Sequence, residues 1–522
     1  MPHFPPVVFA IAFAALVVAL TALARRLPVP TPILQVGSGL LVGLIPGLAI
    51  PDLDPDLVFF VFLPPILWSA AMFTSAREFK LNIGPIGWLS VGLVLVTTFV
   101  VAVTARMLLP ALPWSVAIAL GAIVSPPDAV AAAAIVSRLP VPHRVIVVLE
   151  GESLVNDASA LVLYRTAVAA AVTGSFSWGE SIVRFFIDAG VGILIGLFVG
   201  WLIIKAACWT RDALAETLLT LAGPYVAWLT AETMHVSAVL ACVAGGLYLQ
   251  RNLSIAVGPS SRLQTRIVWD LLVFLLNAMI FILLGVEFVA LLQAGRGTLG
   301  PVLRSGAIIG AVVIAVRLVW VPLVTILPRL SADMRRRAPE PRWKPLFLVS
   351  WTSMRGVVSL ATALALPRLL SDGKTFPYRT EIIMITMCVI VLTLVVQGLS
   401  LEPIIRAFRF EPEQKHHEEE RLARREATRR GAEALEDLAH EPWADQRDVD
   451  VLRAELRDRV QLNEHHGGHH ESRRRLRLGM ISAERRMLIR LRNENAISDE
   501  VLRSLEQELD LEAVRAGAGA VR

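Results

Sequence analysis

Apolar runs about as long as a bilayer is thick recur from Val7 to Pro403, separated by short loops rich in proline, glycine and charge. A spanning helix needs roughly 20 consecutive apolar residues. Within lipid, each segment must also satisfy its own backbone hydrogen bonds. The pattern therefore calls for helices and argues against a string of soluble domains. Composition agrees: 55% of residues are hydrophobic and the mean hydropathy is +0.60, far from soluble averages. The expected fold is an all-α polytopic membrane protein with about 13 transmembrane helices, followed by a charged helical tail.

Hydropathy and helix breakers predict spans at 7–24, 32–50, 56–74, 84–108, 113–137, 144–172, 181–207, 214–232, 235–250, 267–293, 301–327, 345–368 and 380–403. Lys and Arg crowd into the loops of one side, above all in the cluster from Arg329 to Lys344. That bias places the N-terminus outside and the tail in the cytoplasm. The net charge of +5 is thus read as membrane topology, with no nucleic-acid partner expected. The first run lacks a basic n-region and a cleavage site, so it is read as a retained helix. Cys208, Cys242 and Cys388 are scattered through apolar surroundings and read as packing residues. Gly39, Gly43 and Gly47, and again Gly192, Gly196 and Gly200, are spaced by four. Each set lines one helix face and suits close packing, within the bundle or between two copies.

Beyond Pro403 the chain becomes highly charged and cannot enter lipid. Met487, Leu488, Leu491, Val501, Leu502, Leu505 and Leu509 recur at helical spacing, with Ser498 as a plausible helix start. The His465–His470 cluster suits a polar linker, and its residue type also suits metal binding or pH sensing.

Three spans carry polar groups at mid-depth, where ionisable residues mark ion paths. Ser125-Pro126-Pro127-Asp128 breaks the fifth span, because two prolines remove backbone donors and obstruct the preceding turn. In the sixth, Glu150, Glu152, Ser153, Asn156 and Asp157 lie inside an apolar run. Asp157 is thirteen residues beyond Arg144, about 20 Å of helix rise, and so near the bilayer centre. Glu152 and Asn156 share a face; Glu150 lies on the face of Asp157, two turns nearer the cytoplasm, as a possible entry group. In the twelfth span, Arg355 needs a buried carboxylate partner, and Glu152 is the expected one. Spans five and twelve are the middle members of two triads. As inverted repeats, their broken helices would cross at the bilayer centre.

These motifs resemble the monovalent cation–proton antiporters, in the branch of bacterial NhaP-type and animal NHE-type sodium/proton exchangers. The resemblance rests on Leu63-Pro64-Pro65, on Glu152-Ser153-Leu154-Val155-Asn156-Asp157, on Arg355-Gly356-Val357-Val358-Ser359, and on Gln397-Gly398-Leu399-Ser400-Leu401. It implies a membrane domain over 1–403 and a cytosolic tail over 404–522. It also implies core helices over 84–172 and 301–403, and dimer or scaffold helices over 7–74 and 181–293. A homodimer in the cell membrane and an elevator-like cycle go with it. Asp157 would bind cation and proton in turn, with Asn156, Ser153 and Asp128 around it; Glu152–Arg355 would be structural. The expected activity is electroneutral exchange of Na+ or Li+ for H+, without enzyme chemistry or a cofactor. Pro127-Asp128-Ala129 departs from the Thr-Asp-Pro common in such proteins, so cation preference stays open between Na+, Li+ and K+. A cation channel or a non-transporting sensor are the alternatives of other classes. An intramembrane aspartyl protease would need paired catalytic Asp motifs and gives Arg355 no task.

Overall fold

In the computed structural model, the described residues are 6–24, 26, 27, 29–45, 55–75, 82–128, 132, 136, 139, 141–173, 178–294, 299–327, 342–370, 373–410, 414–464, 469–494 and 499–515. Gly47, most of the Arg329–Lys344 cluster, Ala129, His465–Gly468 and Ser498 lie outside them. The chain divides into two compact units, Met1–Pro412 and Glu413–Arg522.

Among its described residues, the regular structure of the first unit is helix, apart from one isolated bridge between Leu369 and Thr375. Its helices are α1 (Pro6–Ala24), α2 (Thr31–Gly43), α3 (Pro55–Phe73), α4 (Ile83–Leu108) and α5 (Trp114–Val124). There follow α6 (His143–Thr173), α7 (Trp178–Thr210), α8 (Ala213–Thr233), α9 (Ala238–Ala256), α10 (Pro259–Ala294) and α11 (Leu299–Ile326). Two short helices, α12 (Trp343–Trp351) and α13 (Val357–Leu364), precede α14 (Arg379–Phe408). These fall in the expected windows, with the twelfth in two pieces. Five helices among the described residues are both long and apolar enough to cross a membrane: α4, α7 from Ile187, α10 up to Gln293, α11 from Gly300, and α14.

Local chemistry explains the joints. Asp212 accepts the Ala215 N–H at 2.8 Å and caps α8; Ser237 accepts the Leu240 N–H at 3.3 Å and caps α9. Trp88–Gly92 winds as a π-helical turn inside α4, and the Trp88 carbonyl accepts the indole N–H of Trp320 at 3.2 Å.

The described glycines of both ridges pack inside the chain. A side chain at Gly39 would collide with backbone at Ile282 of α10, and one at Gly43 would meet Val286 and Val289. Gly192, Gly196 and Gly200 bring α7 against Ser237, Ala241 and Gly245 of α9 in the same way. Such contact is what small residues permit in lipid, where no hydrophobic force drives helices together. Trp68 of α3 is fully buried in a cradle formed by Gly223, Gly245 and Gly246.

The second unit contains α15 (Gln414–Leu438), α16 (Gln446–Glu464), α17 (His469–Asn493) and α18 (Asp499–Arg515). Helices α15 and α16 pair, with the Arg453 guanidinium donating to both oxygens of Glu436 at 2.9 and 2.8 Å. Helices α17 and α18 pair likewise, with Arg485 bonded to Asp510. Ile481 and Leu502 are buried, and Leu488, Leu491, Leu505 and Leu509 partly so. Met487 and Val501, expected on that stripe, face solvent.

Candidate functional site

The fifth segment leaves the helix at its double proline, as expected, the twelfth unwinds at Thr352–Gly356, and the two unwound stretches meet. Helix α5 stops at Val124, before Ser125-Pro126-Pro127-Asp128. Helix α12 stops at Trp351, and Thr352–Gly356 runs without helix before α13 begins. The Asp128 N–H donates to the Met354 carbonyl at 2.7 Å, joining the two unwound stretches directly. Gly356 allows this approach, because a Cβ there would collide with the Asp128 carboxylate.

Arg355 holds the crossing together. Its side chain is fully buried, with Nε donating to the Val124 carbonyl at 2.7 Å and Nη2 to the Ser125 carbonyl at 3.0 Å. Nη1 donates to the Ser353 carbonyl at 2.5 Å and to its Oγ at 2.6 Å. The Arg355 N–H donates to Thr393 Oγ1 of α14 at 3.1 Å. The guanidinium thus caps the carbonyls of Val124 and Ser125 left open where α5 ends, where the helix dipole favours a cation.

The structure corrects the expected Glu152–Arg355 pair. Glu152, 1% exposed, is held at both oxygens by Arg317 of α11, with Nη2 to Oε2 at 2.8 Å and Nη1 bonded to Oε1. Arg317 is itself fully buried, and its Nε donates to the Val349 carbonyl of α12 at 3.1 Å. It therefore ties α6, α11 and α12. Arg355 feels Glu152 and Arg317 electrostatically, while its own hydrogen bonds go to backbone carbonyls and Ser353. The sequence reading passed over Arg317. Its signal was present, since it is the sole charge between Ser305 and Pro328.

Asn156 and Asp157 of α6 approach the same unwound stretch. Asn156 is fully buried and its Nδ2 donates to the Pro127 carbonyl at 3.3 Å, so α6 grips the break in the fifth segment. Its Oδ1 has no hydrogen-bond partner among the described residues. Asp157 is 8% exposed and lies close enough to Asp128 for the two carboxylates to repel. Asp128, Ser153 and Glu150 are half-buried. The structure thus groups Asp128, Asn156 and Asp157 around the break, and gives Glu152 to a separate ion pair.

A buried carboxylate beside a second one, an unsatisfied amide oxygen and an unwound backbone is chemistry suited to a small cation or a proton. Residues 11–407 match the family model described as sodium/hydrogen exchanger, transmembrane. The chain belongs to the sodium/hydrogen exchanger family. A protein of Mycobacterium tuberculosis named as a Na+/H+ exchanger is 34% identical over 519 residues, covering 97% of this chain and 95% of that relative. A sodium, potassium, lithium and rubidium/H+ antiporter of Bacillus pumilus is 30% identical over 533 residues, covering 97% of this chain and 78% of the relative. In fold, the chain is similar to the sodium proton antiporter MjNhaP1 from Methanocaldococcus jannaschii, with a TM-score of 0.58 and 22% identity. That match covers 75% of this chain and 99% of the other. As a member of the sodium/hydrogen exchanger family, this protein is a multi-pass membrane antiporter of monovalent cations and protons, a secondary transporter and not an enzyme.

Proposed function

We propose that this exchanger moves one monovalent cation against one proton, with the two competing for Asp157. The observation that carries the reading is the burial of Asp157 beside Asp128, at the crossing of two interrupted segments. Charge at the site supports the stoichiometry. Arg317 and Arg355 contribute two positive charges; Glu152, Asp128 and Asp157 contribute three negative ones when ionised. One negative charge remains, and one cation or one proton neutralises it. A neutral core crosses the bilayer at far lower cost than a charged one. An amide at position 156, where a second acid would add charge, fits electroneutral exchange.

Na+ would be held by the carboxylates of Asp157 and Asp128, the Ser153 hydroxyl and freed backbone carbonyls, with Asn156 holding the break in place. Glu150 lines the cytoplasmic entry. The first unit spans the membrane about thirteen times as inverted repeats, with the N-terminus outside and the tail in the cytoplasm. It works as a homodimer whose core shifts against the scaffold. K+ as a second cargo is favoured by the breadth named for the Bacillus pumilus relative.

The test is dissipation of a pH gradient in proteoliposomes by Na+, Li+ and K+. Asp157→Asn is expected to abolish dissipation by each cation. Normal exchange by that variant would refute the reading, and a current that persists without a counter-gradient would indicate a channel.

A further inference from the structure

The last-helix motif Gln397-Gly398-Leu399 has no part in the site described above. Thr386, Thr393 and Gln397 lie seven and four residues apart, on one face of α14, and all three are fully buried. Gln397 is bracketed by two contacts with the broken twelfth segment. On one side Thr393 Oγ1 accepts the Arg355 N–H at 3.1 Å. On the other, Ser400 Oγ accepts the Trp351 indole N–H at 2.9 Å. At the next residue, the Met354 sulfur lies 3.8 Å from where a Cβ on Gly398 would sit. The Gln397 amide thus faces the stretch where α12 has unwound.

Among the described residues, neither Oε1 nor Nε2 of Gln397 has a hydrogen-bond partner, and neither has Thr386 Oγ1, about two turns from Thr393. A primary amide fully removed from solvent, with donor and acceptor both unmatched, is the kind of site that ordered water occupies. We propose that Gln397, with Thr393 and the unwound Thr352–Gly356 stretch, forms an internal binding site for ordered water behind the helix crossing. The occupant is water rather than cargo. A cation would leave the amide Nε2 unmatched. An anion would leave the amide oxygen unmatched, whereas water donates to Oε1 and accepts from Nε2. The site is separate from Asp157, which α6 presents, and the inference stands whether or not Asp157 carries the exchange.

Radiolytic hydroxyl labelling of the full-length protein in lipid nanodiscs tests this, because radicals formed from bound water mark the side chains beside it. Met354 and Met384 are equally buried. Met354 is expected to label about threefold faster than Met384 or more, as befits a side chain with an ordered water neighbour. In Gln397→Leu, Met354 should fall to the Met384 rate; if that variant does not fold, Gln397→Met replaces it. Equal slow labelling of both methionines in the wild type, or Met354 labelling that persists in the variant, overturns the proposal. So does labelling of Met354 that is suppressed by NaCl but not by choline chloride in an Asp157→Asn background, which would mean a cation occupies the site.

Discussion

Two arginines at similar burial perform different tasks, and the difference lies in their partners. Arg317 meets a carboxylate in two parallel hydrogen bonds, the geometry for which a guanidinium is pre-shaped. Arg355 meets backbone carbonyls and so replaces part of the hydrogen bonding lost at the break. Removing one member of a buried pair strands the other charge, at a cost of about 3–5 kcal/mol. Glu152→Gln and Arg317→Met are each expected to lower the Tm of the purified protein strongly. Together they should cost less than the sum of the two, because the double variant leaves no stranded charge. A thermal-shift double-mutant cycle measures this, and strict additivity would mean that the pair is not coupled. The same pair shows how far the residue scale was legible. That Glu152 needed a buried cation followed from its depth alone. Which arginine supplied it did not, since Arg317 and Arg355 are both isolated charges in apolar runs, separated from Glu152 by well over a hundred residues.

At the scale of elements, the glycine ridges decide which helices touch. Gly196 faces the Ala241 carbonyl of α9 so closely that an added methyl would force α7 and α9 apart. Gly190, on the same helix, has open space at its Cβ position. Gly196→Ala should therefore destabilise the protein by roughly 1–3 kcal/mol through overpacking, whereas Gly190→Ala should be close to neutral or slightly stabilising. Comparison of the two Tm values in one detergent checks it, and equal shifts would show that the α7–α9 contact does not limit stability. The fourfold glycine spacing was visible in sequence, and so was the double proline that ends α5. Whether a small-residue face served this chain or a second copy was not, because the spacing describes only one side of a contact.

In the tail, one exposed pair links a helix hairpin to pH. The Arg453 hydrogen bonds hold the Glu436 carboxyl below its usual 4.5. A depressed carboxylate contributes stability that is present above its unfolded value and is lost as pH falls through the folded one. Helicity of the full-length protein, read by circular dichroism, should therefore fall slightly as the pH drops below about 4.5. The fall should shrink in Glu436→Gln and at high salt, which screens exposed pairs. An unchanged acid transition in the variant would rule the pair out as its cause.

For the whole molecule, the division at Pro412 separates an apolar body from a charged helical one. The site residues Asp128, Ser153, Asn156 and Asp157 all belong to the first unit, as do both buried arginines. A chain ending at Pro412 is therefore expected to retain cation–proton exchange in proteoliposomes. Loss of exchange by a truncated protein that keeps its Tm would make the tail part of the transport machinery.

The sequence by itself determined the solvent, the helical architecture, the position of the break in the fifth segment and the acidic residues worth examining. These depend on composition, on proline's missing N–H and on the cost of charge in lipid, all of which act locally along the chain. Only the tertiary structure decided that Asp128 bonds across to Met354, that Arg355 caps α5 and that Arg317 neutralises Glu152. Those outcomes depend on which surfaces face each other across hundreds of residues. One helix's pattern states what its face requires, and only the packed structure shows which neighbour meets that requirement.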